Sequence, residues 1–279
     1  MNGFMEKDER GTAGFPFQAY RAFAKGSARL TAAAHYHNEL EIMKPQQGVT
    51  DLIIDGVLVK AVPNRVYFIN PDEIHTMHAY ADSGYNCVVF PKELLSFSEN
   101  SVIYRRLIEP LFSGGLRFCQ STDDAVCCEL LDQMVALARE GERYAPQIVA
   151  CLLQLLGYCE ENEILQKAET PSNWKEPIHR AIRFMEKHFT EQLTLAKIAE
   201  TAGMSPKYFC SYFKKYTGTT AVTYLTTLRI RRAKELLRGG ASVLESAFSC
   251  GFENTSFFIK KFKEATGKTP GQYKKEHRL

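Results

Sequence analysis

The chain has 279 residues, of which 45% are hydrophobic and 24% are charged, so it can bury a sizeable core and is neither disordered nor fibrous. It contains no apolar run of the roughly 18–20 residues that a membrane helix needs, and its first residues lack the apolar stretch of a secretory signal. The net charge of +3 hides a division, because residues 1–173 carry a net −8 and residues 174–279 a net +11. This asymmetry predicts a basic module for a polyanion, attached to a domain with a different role.

Residues 1–90 contain short runs of β-favouring residues that are separated by proline, glycine, asparagine and aspartate. The runs are LEIM, DLIID, VLVK, RVYFIN and YNCVVF. Asp55-Gly56 is a two-residue hairpin signal, because glycine accepts the positive φ that a type I′ turn requires. Strands this closely spaced predict a small barrel or sandwich as the first domain.

Two histidines and a glutamate in this segment form the pattern His-x-His-x3-Glu, at His35, His37 and Glu41. On a strand, and with regular pairing, these positions point to the same side. His75, in the later segment NPDEIH, is the candidate fourth member of the group. Imidazoles and a carboxylate facing the interior of a barrel suit a divalent metal, and they also suit the polar wall of an effector pocket.

The first pattern, completed by Gly48, resembles the first motif of the cupin family, and NRVYFINPDEIH loosely resembles the second motif. The second motif is imperfect, because Arg65 and Glu73 replace usual glycines and His75 comes one residue early. We therefore take the four residues as candidates for an effector pocket and expect no required cofactor. A divalent metal on the same four residues is the alternative, and no group of residues predicts catalysis.

From Pro91 to about Ala168 the hydrophobic period becomes helical. The segments around ELLDQMVALARE and QIVACLLQLLGYCEEN carry broad apolar stripes, suited to packing on the barrel or on another subunit. The eight cysteines include no Cys-x-x-Cys, and several lie in these stripes, which is typical of buried small residues in a reducing compartment. A linker is predicted at residues 169–177, which contain Pro171, Ser172 and Asn173.

The last hundred residues contain an internal repeat. Leu195, Ala199 and Gly203 recur 48 positions later as Val243, Ala247 and Gly251. The residues Phe209, Phe213, Thr217, Gly218 and Tyr224 recur 49 positions later as Phe258, Phe262, Thr266, Gly267 and Tyr273. The sequence therefore predicts two copies of one supersecondary unit.

The sequence of each copy predicts a helix-turn-helix. In the first, LTLAKIAETAG predicts a short helix ending at Gly203, and Ser205 and Pro206 predict the start of a second helix that runs to about Thr217. In the second, SVLESAFSCGF and SFFIKKFKEAT repeat the design, and TYLTTLRIRRAKELLRGG predicts a connecting helix. If the two second helices are parallel, they can enter successive major grooves about 34 Å apart.

These residues resemble the DNA-binding domain of the AraC/XylS family of transcription regulators, in order and spacing, over about residues 174–276. The matching text is LTLAKIAETAGMSPKYFCSYFKKYTG, RIRRAKELL and SVLESAFSCGFENTSFFIKKFKEATGKTPGQYKK. The resemblance implies that the second helix of each unit reads bases. The candidate DNA-binding residues are Ser205, Lys207, Cys210, Ser211 and Lys214 in the first copy, and Asn254, Thr255, Ser256, Ile259 and Lys260 in the second.

We therefore predict a multidomain α+β protein, with a cupin-like β-barrel over 1–90, a helical layer over 91–168, a linker at 169–177 and an all-α domain of two helix-turn-helix units joined by a linker helix over 178–279. The resemblance implies a cytoplasmic, homodimeric regulator that is not an enzyme. It is expected to bind a double-stranded DNA operator, to contact RNA polymerase as an activator and to respond to a small molecule, with a sugar as the first expectation. The alternative is a cupin metalloenzyme with a basic accessory domain, which predicts bound iron, manganese or zinc and turnover of a substrate.

Overall fold

The computed structural model describes residue 12 and residues 14–24, 30–168 and 175–276. The chain forms two compact units, which correspond to the residues on either side of the undescribed segment 169–174. Most of the predicted linker lies in that segment. Residues 175–177, which the sequence placed in the linker, instead begin the first helix of the second unit.

The first unit is built from strands followed by helices. Its strands are β1 (Gln18–Phe23), β2 (Leu30–His35), β3 (Leu40–Gln47), β4 (Thr50–Ile54), β5 (Val57–Ala61), β6 (Val66–Ile69), β7 (His75–Ala79), β8 (Gly84–Phe90), β9 (Leu116–Phe118), β10 (Ser121–Thr122) and β11 (Leu165–Lys167). Its α-helices are α1 (Glu109–Phe112), α2 (Ala125–Arg139) and α3 (Ala145–Glu161).

Two antiparallel sheets make up the body of the first unit. One has the strand order β1-β8-β3-β6-β10 and the other the order β2-β7-β4-β5, which is the arrangement of a double-sheet jelly roll with β10 added at one edge. The predicted cupin-like barrel is not confirmed as a closed barrel, because no strand pair among the described residues joins the two sheets. At one edge of the five-stranded sheet, β6 pairs with β10 through Tyr67 and Ser121 and not with a strand of the other sheet.

Strands β6 and β8 and most of β3 are buried on both faces of the five-stranded sheet, and successive residues of these strands alternate between two cores. Ile42 and Val88 pack toward α2 and α3, whereas Met43 and Cys87 pack between the two sheets. This burial on both faces explains why the segments VYFI of β6 and CVVF of β8 are apolar without alternation. The apolar stripes of α2 and α3 are buried in the core of this unit, where Leu131 and the other inward residues pack on the sheet.

The second unit is helical throughout its described residues. Its helices are α4 (Lys175–His188), α5 (Leu195–Thr201), α6 (Pro206–Thr217), α7 (Ala221–Arg238), α8 (Val243–Ser249), α9 (Thr255–Thr266) and α10 (Pro270–Glu276). Helices α5 and α6 form the first predicted helix-turn-helix, and α8 and α9 form the second. Helix α7 connects the two copies.

The turn between α8 and α9 depends on glycine. Gly251 has a φ of +78°, and a Cβ at this position would lie 2.7 Å from the carbonyl oxygen of Phe189. Its counterpart in the first copy, Gly203, also has a positive φ, of +68°. The central Ala199 and Ala247 are fully buried, which allows the two helices of each copy to approach closely.

Candidate functional site

Four polar side chains meet between the two sheets of the first unit. We call His35, His37, Glu41 and His75 the histidine cluster. One ligand atom from each of them lies within 4.8 Å of the others. His35 is half-buried and the other three are buried.

The strand pairing explains how these residues come together. His35 ends β2 and His75 begins β7, and the two are partners in the register of these strands. Glu41 lies on β3 of the opposite sheet, and His37 lies in the connection between β2 and β3. Positions 35, 37 and 41 therefore do not share one side of a single strand, as was predicted, although the four predicted residues do converge.

Two imidazole rings are held by backbone carbonyl groups. His37 Nδ1 lies 3.2 Å from the Glu39 carbonyl oxygen, and His75 Nδ1 lies 2.9 Å from the Glu73 carbonyl oxygen. Because a carbonyl oxygen can only accept, each Nδ1 carries the proton and donates it. The Nε2 atoms of both rings are thereby directed toward Glu41 Oε2, at 3.1 Å from His37 and 3.3 Å from His75.

Glu41 is fully buried. Burial alone would raise the pKa of Glu41, but the hydrogen bonds and positive charge of His37 and His75 hold it well below its usual value. Burial alone would lower the pKa of His75, but the Glu41 carboxylate raises it. The second carboxylate oxygen of Glu41 accepts a hydrogen bond from the Cys87 thiol at 3.1 Å.

The departure from the second cupin motif at Glu73 has a structural role. The Glu73 carboxylate accepts the Asn70 backbone N–H at 2.6 Å and forms an ion pair with Arg117. Glu73 thus fixes the turn that leads into β7, and its carbonyl oxygen orients His75. The irregular spacing therefore does not prevent His75 from reaching the cluster.

In the second unit, the candidate DNA-binding residues of the first copy lie on α6 and at its N-cap. Lys207, Cys210, Ser211 and Lys214 are exposed. Ser205 caps the helix, because its hydroxyl accepts the Tyr208 N–H at 3.5 Å. The Ser211 hydroxyl donates to the Tyr208 carbonyl oxygen at 2.9 Å, so this side chain is already engaged with its own helix.

The candidates of the second copy lie on α9 and at its N-cap. Ser256, Ile259 and Lys260 are exposed, and Thr255 is half-buried. Asn254 is the cap, since its side-chain oxygen accepts the Phe257 N–H at 2.9 Å. The inward positions are the fully buried Phe258 and Phe262.

Sequence reasoning did not single out two further exposed residues on these helices. Tyr208 and Phe257, at equivalent positions of α6 and α9, are 57% and 50% exposed. The 49-residue repeat places Phe257 opposite Tyr208, and this match of two aromatic residues could have identified them from the sequence.

Comparisons with known proteins agree with this arrangement. Residues 198–276 match a family model described as a helix-turn-helix domain. The HTH-type transcriptional regulator YdeC of Bacillus subtilis (strain 168) is 25% identical over 285 aligned positions, which cover 97% of this chain and 95% of YdeC. The XylDLEGF operon transcriptional activator of Pseudomonas putida is 25% identical over 227 positions, which cover 77% of this chain and 69% of the activator.

A solved structure shares the fold. ToxT from Vibrio cholerae O395 matches with a TM-score of 0.52, over 92% of this chain and 96% of ToxT, at 12% identity. Among the described residues, none of the helices has both the length and the apolar character to cross a membrane. The duplicated helix-turn-helix, the family match over residues 198–276 and these relatives together show a transcription regulator with a DNA-binding helix-turn-helix domain, similar to regulators of the AraC/XylS family.

Proposed function

We propose that the chain is a transcription activator whose binding to an operator is controlled by a small molecule held at the histidine cluster. The observation that carries this proposal is the buried, charged cluster between the sheets of a unit that contains neither helix-turn-helix. Burying a carboxylate and imidazoles costs stability that an apolar core would not lose. A binding role gives a reason for placing them there.

Control would operate by linkage. An effector that binds one state of the protein more tightly than another shifts the population toward that state. Because such coupling is reciprocal, operator DNA must change the affinity for the effector by the same factor. The resemblance to the family adds a homodimer and a contact with RNA polymerase to this proposal. The apolar stripes of α2 and α3 give the dimer no further support, since they are buried within the unit.

The class of effector can be tested directly with the full chain. Sugars are the first class to screen by thermal shift, since the family resemblance suggests them. Unsaturated fatty acids are the second, because ToxT has been solved with one bound. An effector of the cluster should stabilise the wild type and lose most of this effect in His37→Ala. A compound that stabilises both proteins equally binds elsewhere and contradicts the assignment of the pocket.

We also propose that the histidine cluster holds a divalent transition metal. Three imidazoles and one carboxylate are a suitable donor set, and the carbonyl groups behind His37 and His75 are the partners that metal-binding histidines usually have. Such an ion would supply a positive centre for an oxygen-bearing effector. Metal analysis of purified wild type should find one ion per chain that His37→Ala lacks, and wild type without metal would contradict the proposal.

The metalloenzyme alternative shares the same cluster but predicts turnover. YdeC and the XylDLEGF operon activator, which align with this chain beyond the helix-turn-helix region, are both named as transcription regulators. Regulation is therefore the function that the comparisons favour.

A further inference from the structure

The base-reading surface of α9 includes two large apolar side chains. Phe257 is 50% exposed and Ile259 is 36% exposed, although both lie on a helix whose inward positions are already filled by other residues. The counterpart of Phe257 in the first copy is Tyr208, which is also exposed. Equivalent exposed aromatic residues in both copies indicate a role on the surface of the reading helices.

Helical geometry places the two apolar groups on either side of a polar row. At about 100° per residue, Ser256, Lys260 and Lys263 lie opposite the buried face of α9. Phe257 borders this row on one side and Ile259 on the other. A polyanion that lies along the lysines would therefore have an apolar side chain at each edge of its contact with the helix.

The occupant that fits this surface is the major groove of double-stranded DNA. The second unit belongs to a chain segment with a net charge of +11, and the lysine row supplies contacts to phosphate. Among the bases, thymine alone presents a methyl group in the major groove, and apolar side chains recognise it by contact.

We propose that Phe257 and Ile259 read thymine in the operator through its C5-methyl groups. This inference rests on the proposed role of α9 as a base-reading helix. The lysines of the row would then provide affinity and contacts to neighbouring bases, while the apolar pair selects thymine over cytosine and over purines.

The test uses uracil, which pairs as thymine does but lacks the methyl group. The full chain first selects a duplex from a random library, and each thymine of the selected site is then replaced by uracil, one at a time. At one or two positions, uracil should weaken binding of the wild type by about three- to tenfold. Phe257→Ala or Ile259→Ala should bind the thymine and uracil duplexes equally at the position that its side chain reads.

A matched control is Leu244→Ala, which removes a side chain that is 56% exposed on α8, outside the reading helix. This variant should keep the full uracil effect. The inference is overturned if no uracil replacement weakens wild-type binding, a result that requires no variant to fold. It is also overturned if the uracil effect persists in both α9 variants, since another partner would then explain the exposed pair. Failure of the chain to select any sequence would instead overturn the proposed operator binding itself.

Discussion

Lys260 is the exposed base-reading candidate of α9 that combines reach with charge. Lysine can donate to guanine in the major groove or bind phosphate, and Lys260 lies opposite the buried face of the helix. We expect Lys260→Ala to weaken specific operator binding by about 1–3 kcal/mol. Lys261→Ala is the matched control, because Lys261 forms an ion pair with Glu264 at 2.7 Å and is half-buried. Gel shifts at fixed salt would measure the operator affinity of both variants. An equal loss of affinity in the two would contradict the expectation that Lys260, and not Lys261, faces the DNA.

The sequence predicted the four members of the histidine cluster and the caps of the two second helices, but on different grounds. The caps Ser205 and Asn254 and the turn glycines follow from local rules that need only neighbouring residues. The histidine cluster was predicted from one spacing pattern, yet His35 and Glu41 belong to different sheets. Their convergence depends on the packing of one sheet on the other, and His75 joins them through the pairing of β2 with β7; neither is a local property of the sequence.

At the scale of elements, Asp124 fixes the start of α2. Its carboxylate accepts the N–H groups of Val126 and Cys127 at 2.9 and 3.1 Å, and the Tyr158 hydroxyl of α3 at 2.8 Å. Asp124→Ala should lower the unfolding free energy of the first unit by about 1–2 kcal/mol, whereas Asp124→Asn, which keeps the cap, should cost less. Calorimetry of the full chain would show this as a lower transition temperature for the first unit, and an unshifted transition in the alanine variant would contradict it.

The same contacts make the stabilisation by Asp124 dependent on pH. Burial would raise the pKa of Asp124, but the Tyr158 hydroxyl and the helix N–H groups lower it below its ordinary value. A lowered pKa means that the stabilisation is complete above about pH 4 and disappears as the pH falls through the folded-state value. The difference in stability between wild type and Asp124→Ala should therefore shrink on acidification, and a difference that grows would have the wrong sign.

Arg229 of α7 has a corresponding role in the second unit. Its guanidinium donates to the carbonyl oxygens of Phe189 and Glu191, at 2.7 and 2.6 Å, just beyond the end of α4. Arg229→Met keeps the apolar stem but removes both bonds, and should cost about 2–3 kcal/mol because the donor is charged and the acceptors lose their partner. Calorimetry should show a lower transition for the second unit alone. Arg231→Met, two residues along α7, is the control, and an equal loss there would contradict the assigned contacts.

Helices and strands were predicted well where neighbouring residues determine them, and poorly where they depend on residues distant in the sequence. The helices of the two repeats follow from capping residues and a regular apolar period. Strands β1, β2 and β7 were not distinguished, partly because an alanine-rich run such as LTAAAH has little β-preference. The addition of β10 to the edge of the five-stranded sheet was also missed, since β10 pairs with a strand more than fifty residues earlier and nothing in its two residues signals this.

For the whole molecule, the division of charge has a direct consequence. The basic segment that contains the second unit is expected to bind DNA with displacement of counterions, whereas the acidic first unit should not add to this binding. The most direct test of the account measures binding of the full chain to its selected duplex and to a scrambled duplex, over a series of salt concentrations. We predict binding to the selected duplex that is at least about a thousandfold tighter, and an affinity that falls steeply between about 50 and 200 mM salt. Equal affinity for the two duplexes at every salt concentration would contradict the account.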